Sequence, residues 1–156
     1  MIEIDIPGFG SLRLAHLVCD YNGTLALDGH LLPGVGEALR GLAPLLSIHV
    51  ITADTFGLAA GELAGLPVAL TVTPPHDQAA AKLAYVQGLG AESVVAFGNG
   101  RNDCQMVKAA GLGLGLMQKE GGAAQTIASA DVLATNVLDA LDLLRHPLRL
   151  RATLRS

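Results

Sequence analysis

Cysteine is scarce in this chain: 156 residues contain two, Cys19 and Cys104, far apart in sequence. A disulfide-stapled scaffold needs closely spaced pairs and is not expected here. No apolar run reaches the roughly 18 residues of a membrane span. The N-terminus has no charged segment leading into an apolar one, so no secretion signal is visible and the cytosol is the expected location. Charged residues make up 15%, and ten Lys and Arg against fourteen Asp and Glu leave a formal net charge of −4. That gives no general pull toward nucleic acid. The five histidines (His16, His30, His49, His76, His146) are scattered without metal-ligand spacing. Internal repeats and linkers are also missing. What the chain does have is apolar character, with 51% hydrophobic residues and a mean hydropathy of +0.46. Residues 1–156 are expected to form one domain with a substantial core.

The apolar residues come in short bursts. Ile2–Ile6 alternates apolar with acidic, Pro7-Gly8-Phe9-Gly10 turns, and Ser11–Cys19 continues as strand. Pro33 opens a helix with Val35, Leu39 and Leu42 at helical spacing. Leu46–Ile51 is the next apolar run, and it ends at Thr52. A helix around Leu58–Leu63, a strand over Val68–Val72 and a helix from His76 or Asp77 through Lys82 to Gln87 follow. Strands at Ser93–Phe97, Leu112–Leu116 and Val132–Ala134 flank a helix at Cys104–Ala110, and an amphipathic helix at Val137–Leu144 closes the series. Short apolar strands alternating with helices predict an α/β fold, a three-layer Rossmann-like arrangement with a mostly parallel sheet and helices on both faces. Arg145, Arg149, Arg151 and Arg155 read as a solvated helix end and frayed terminus, or else as a subunit contact or an anionic-substrate rim.

Four polar clusters stand at predicted carboxyl ends of strands. They are Asp20-Tyr21-Asn22-Gly23-Thr24, Thr52 with Asp54 behind it, Lys82 after Pro74-Pro75, and Gly98-Asn99-Gly100-Arg101-Asn102-Asp103. In a parallel sheet these ends converge on one crevice, where ligands bind. The residue types suit phosphoryl transfer. Asp20 is an oxygen nucleophile able to form an acyl phosphate. Thr52 can hydrogen-bond a phosphoryl oxygen, and Lys82 offers a compact positive charge. Asp20 and Asp103 together make a hard-oxygen site for Mg²⁺. Each has a plainer alternative: a turn residue for Asp20, a helix N-cap for Thr52, a solvated lysine for Lys82, a helix-start acid for Asp103. Asp54 reads as a cap, or as a group bracing the site from behind, rather than a catalyst. Gly111-Leu112-Gly113-Leu114-Gly115 is no dinucleotide fingerprint, because the following helix and ribose-binding acid are missing.

The order and spacing of these clusters resemble the haloacid dehalogenase (HAD) superfamily, and within it the soluble relatives of P-type ATPase catalytic domains. The resemblance runs from about Leu14 to Asp131, and its specific parts are the motifs at Asp20–Thr24 and Gly98–Asp103. It implies a phosphate-accepting Asp20, with Asn22, Thr52 and Lys82 at the other catalytic positions. Thr52, Ala53 and Lys82 would hold the phosphoryl group, and Asp20, the Asn22 carbonyl, Asn99 and Asp103 would surround Mg²⁺. Gly23, Thr24 and Asn102 would brace them. The lean stretches from Thr24 to Thr52 and from Thr52 to Lys82 leave no room for the cap domains that other members insert there.

Two departures bear on activity. Asn22 replaces the aspartate that usually serves as acid and base, a role typically contributing 10²–10⁴-fold. Asn99 replaces an acid at the metal, so the cation has one anionic ligand fewer. The expectation is a slow Mg²⁺-dependent phosphatase acting on a phosphorylated small molecule or macromolecule, with no nucleic-acid or membrane partner. The alternative is a regulatory or phosphate-binding protein that barely turns over. Homo-oligomerisation is expected from the apolar composition.

Overall fold

In the computed structural model, which describes residues 1–156, the chain begins with an antiparallel hairpin of β1 (Ile2–Ile6) and β2 (Gly10–Leu14). The expected continuous strand from Ser11 to Cys19 breaks at Ala15. There the chain changes sheets: the Ala15 N–H donates to the Ser93 carbonyl, and the Ala15 carbonyl accepts from Ser47 N. Strand β3 (His16–Cys19) then enters the main sheet.

A second small hairpin, β4 (Ala26–Leu27) with β5 (His30–Leu31), follows the Asp20 loop and was not foreseen from sequence. Helix α1 (Val35–Leu42) comes next; Pro33 lies just before it, and Gly34, at φ 85°, is the cap. Then come β6 (Ser47–Thr52), α2 (Ala59–Glu62), β7 (Val68–Val72), α3 (Gln78–Leu89) and β8 (Val94–Gly98). They are followed by α4 (Cys104–Ala109), β9 (Leu112–Leu116), α5 (Ala124–Ser129), β10 (Val132–Ala134), α6 (Val137–Arg145) and α7 (Pro147–Leu154).

The main sheet is wholly parallel in the order β10-β9-β8-β3-β6-β7. Strand alternation sorts side chains onto two faces. Leu17, Cys19, Val95, Phe97 and Leu114 pack with Val35 and Leu39 of α1, Leu141 of α6 and Leu150 of α7. Val18, Ile51, Val94 and Ala96 point the other way, onto Val86 of α3 and Met106 and Val107 of α4. In β9 the leucines enter the first core while Gly113 faces α4 at backbone distance; a Cβ there would strike the Val107 carbonyl. Successive connections run from β3 to one side through β6 and β7, then return to its other side at β8. The order reverses between β3 and β8, so their carboxyl ends frame the crevice such sheets use.

No helix is long and apolar enough to cross a membrane. Between Thr24 and β6, the strand that ends at Thr52, the chain holds only the β4–β5 hairpin and the eight-residue α1. The reading of Arg149–Arg155 as a frayed terminus is corrected. Pro147 starts α7, Leu150 is fully buried, and Ser156 N donates to the Pro7 carbonyl, so this segment covers the first hairpin. Its arginines stay at the surface, while Leu150, with the half-buried Leu154, supplies the inward face. Leu150→Ala should therefore destabilise the protein by about 2–4 kcal/mol, read as a lower urea midpoint with an unchanged m-value. A frayed tail would give no change.

Candidate active site

Asp20 directly follows β3, is almost fully buried, and takes its backbone N–H bond to the Phe97 carbonyl at the end of β8. Its loop is wound tightly: the Tyr21 carbonyl accepts from Thr24 N, Leu25 N and Ala26 N. Gly23 sits at φ 81°, where a side chain is strained. The buried Tyr21 hydroxyl donates to the Gly29 carbonyl, and Asn22 Oδ1 accepts from Gly29 N at 2.9 Å. The Asn22 amide is thus turned onto the β4–β5 hairpin.

On the facing loop, Asp103 is completely buried at the end of a 3-10 turn, Arg101–Asp103. Asp103 Oδ2 accepts from Asn99 N at 3.1 Å and Gly100 N at 2.9 Å. Lys82 reaches in from α3, 1% exposed, and its Nζ bonds Asp20 Oδ1 at 2.7 Å and Asp103 Oδ1 at 2.6 Å. The two aspartates that the sequence required to be neighbours are joined through one ammonium group. Asn102 Oδ1 lies 3.4 Å from the same Nζ, and Asn102 Nδ2 donates to Gln78 Oε1. Thr24 Oγ1 stands 3.5 Å from Asp20 Oδ2 and 3.4 Å from Asn99 Oδ1.

Thr52 ends β6 and is buried, but it is outside this network. Its Oγ1 accepts from Asp54 N at 2.9 Å, leaving its own proton free for another acceptor. Ala53 follows it, half-buried. Asp54 is the cap the sequence suggested: its Oδ1 accepts from Leu58 N and Ala59 N ahead of α2.

Three bracing residues were not picked out from sequence. Gln118 Nε2 donates to the Gly23 and Thr24 carbonyls while its Oε1 accepts from Val137 N, tying the Asp20 loop to α6. Thr126 Oγ1 donates to the Gly100 carbonyl. Glu120 Oε2 meets Asn99 Nδ2. These are polar residues in short surface segments near glycines or alanines, and neither spacing nor periodicity marks them.

The electrostatics follow from one cation shared by two carboxylates. Burial raises the Asp20 carboxyl above its ordinary range, repulsion from Asp103 adds to this, and Lys82 opposes both. Burial alone would lower the Lys82 ammonium, but attraction to both aspartates outweighs it and holds it above the usual lysine value. For the lysine two attractions outweigh burial, whereas for Asp20 burial and the repulsion from Asp103 outweigh the single attraction, so both values rise. Burial, then Asp20 and Asp103, push the Cys19 thiol up, so it is no nucleophile at neutral pH.

With both carboxylates ionised, the group keeps one net negative charge out of water. That excess, and the convergence of Asp20 Oδ2 and Asn99 Oδ1 on one side of it, suit a hard divalent cation with oxygen ligands. Asp103 is less free to ligate than expected, since one oxygen takes two backbone N–H groups and the other takes Lys82. No group of three His, Cys, Asp or Glu side chains clusters anywhere in the chain.

No family model matches the chain. Among solved structures it resembles the 3-deoxy-D-manno-octulosonate 8-phosphate phosphatase of Moraxella catarrhalis in complex with magnesium, phosphate and KDO. Identity is 19%, 85% of this chain and 86% of that one are covered, and the TM-score is 0.72. The cobalt-bound deoxy-D-mannose-octulosonate 8-phosphate phosphatase of Haemophilus influenzae gives 12%, 92% and 94%, and 0.72. A zinc-transporting PIB-type ATPase gives 25% identity over 79% of this chain and 20% of that one, at a TM-score of 0.58. The protein has the haloacid dehalogenase fold. Nearer in sequence is an uncharacterized protein of Methanocaldococcus jannaschii, 40% identical over 79 residues, which are 48% of this chain and 85% of that one. The chain belongs to the same family as this archaeal protein.

Removing Lys82 tests the shared cation. Breaking a buried ion pair by deleting one partner typically costs about 3–5 kcal/mol, so Lys82→Met should lose that much at pH 7–8. Burial already raises the Asp20 carboxyl above its unfolded value with the lysine present, and removing the ammonium takes away the attraction that opposes this. Such a group stabilises the fold when protonated, and the benefit disappears as pH rises through the folded value. The deficit should shrink toward pH 5, as urea titrations across that range would reveal.

Proposed function

We propose that this protein is a capless, Mg²⁺-dependent phosphatase working through an aspartyl-phosphate on Asp20. The observation that carries this reading is the convergence of Asp20 and Asp103 on Lys82 Nζ at 2.7 and 2.6 Å, at the reversal point of a parallel sheet. Support also comes from the fold shared with phosphatases solved with magnesium or cobalt.

A carboxylate oxygen of Asp20 attacks phosphorus, the bond to the leaving oxygen breaks, and an acyl phosphate forms. Water then attacks the same phosphorus, the bond to Asp20 breaks, and phosphate leaves. Lys82 lowers the charge that would repel the incoming phosphate, and the Thr52 hydroxyl donates to a phosphoryl oxygen. Asp103 holds Lys82 and the Asn99–Gly100 backbone in register. A bound Mg²⁺, held by Asp20, the Asn22 carbonyl and Asn99, would neutralise charge on the phosphoryl oxygens.

The Asn22 amide can neither give nor take a proton, so protonation of the leaving group and activation of water fall to solvent, and turnover is slow. A cleft of about 530 Å³ lies beside Gly23, walled by Leu27, Leu32, Met117, Val137 and Leu138. It offers room for the leaving group of a phosphomonoester. The engagement of the Asn22 amide with the hairpin favours a second reading, a phosphate-binding regulatory protein with little turnover.

Hydrolysis of an aryl phosphate should require Mg²⁺ and vanish in Asp20→Asn; normal turnover by that variant rejects the mechanism. Binding of beryllium fluoride without hydrolysis of any of a panel of phosphate esters would instead select the regulatory reading. In Asn22→Asp the new carboxylate can still accept from Gly29 N and can also move a proton, so kcat should rise at least about tenfold, within the range of acid–base catalysis. A rate equal to the parent's would mean that another base serves.

A further inference from the structure

We propose that Glu120 is a positioning residue that supplies, through the Asn99 amide, the negative charge Asn99 lacks at the cation site; this rests on the Mg²⁺-dependent reading above. Asn99 Nδ2 donates to two acceptors on the turn that follows β9, the Gly121 carbonyl at 3.0 Å and Glu120 Oε2 at 3.4 Å. With the amide nitrogen directed to that turn, Oδ1 faces the opposite way, toward Thr24 Oγ1 and the Asp20 carboxylate. The orientation is therefore set by residues 120 and 121.

The chain is shaped to admit this contact. A Cβ on Gly23 would collide with Glu120 Oε2 and with the Asn99 amide, so the glycine leaves open the space the carboxylate fills. The turn itself is fastened at both ends. Gln118 Nε2 bonds the Gly23 and Thr24 carbonyls, and Ala123 N donates to the Asn99 carbonyl at 2.7 Å. A carboxylate accepting from an amide N–H polarises it and deepens the negative potential on its oxygen. Asn99 and Glu120 together then offer the cation what a single aspartate would: an oriented oxygen and one negative charge, separated by an amide. Partners one step removed from a metal typically alter affinity 10–100-fold. Glu120 is solvent-exposed, so screening sets its effect at the low end.

The test is Mn²⁺ binding by electron paramagnetic resonance on the parent, Glu120→Gln, Asn99→Asp and the double variant, with Tm as a control for folding. Glutamine can still accept from Asn99 Nδ2, so Glu120→Gln removes charge while keeping the contact. It should bind Mn²⁺ about tenfold more weakly with Tm unchanged. In the Asn99→Asp background the same substitution should cost nothing, because the charge is then borne at position 99. Parental affinity in Glu120→Gln overturns the proposal, as does an equal loss in both backgrounds, which would make Glu120 a general surface charge. No Mn²⁺ binding by the parent would overturn the Mg²⁺-dependent function as well, whereas binding unaffected by Glu120→Gln leaves that function intact.

Discussion

One ammonium group between two buried carboxylates is the interaction on which the rest of the site depends. Lys82 comes from α3, Asp20 from the end of β3 and Asp103 from the turn before α4, so the ion group pins three separate elements at one point. Its desolvation is tolerable only because the remaining valences are filled. Asp103 takes two backbone N–H groups, and Asn102 faces the lysine while bonded to Gln78. A buried charged trio of this kind is poor evidence of optimised stability. It is what a site needs if it is to receive a dianionic group without rearranging at the moment of reaction.

The surroundings of the trio work chiefly through the backbone. Glycine at position 23 lets the loops after β3 and β9 close on each other, and Gly113 lets α4 lie against β9. Side-chain amides and hydroxyls then fasten loop to loop: Gln118 to the Asp20 loop, Thr126 to the Gly100 carbonyl. With 3% aromatic residues the chain has few large anchors. The buried Tyr21 is an exception, and its hydroxyl holds the small hairpin beside Asp20.

The amides at positions 22 and 99 have a carboxylate's hydrogen-bonding shape without its charge. The two amides are nevertheless used differently. Asn22 accepts from the hairpin backbone at Gly29, whereas Asn99 donates toward the turn after β9 and leaves its oxygen on the side of Asp20. The first is a structural tie; the second turns its oxygen toward the Asp20 loop.

The sequence by itself determined the parallel α/β architecture, most strand and helix positions, and the polar residues at the strand ends. Strand Leu112–Leu116 was legible as the uninterrupted apolar and glycine run of a buried parallel strand, and the edge strands Val68–Val72 and Val132–Ala134 as short, mainly apolar runs near turn formers. Asp20 and Asp103 were legible because strand-end motifs keep their order along the chain. Tertiary structure decided what had no local signature. The β4–β5 hairpin has two-residue strands, α5 has six residues of small and polar character, and α7 buries a single leucine against a hairpin far away in sequence. Glu120, Gln118 and Thr126 gain their meaning only when the loops after β3, β8 and β9 meet. Hydrogen bonds between loops depend on which strands are neighbours, and no periodicity along the chain encodes that.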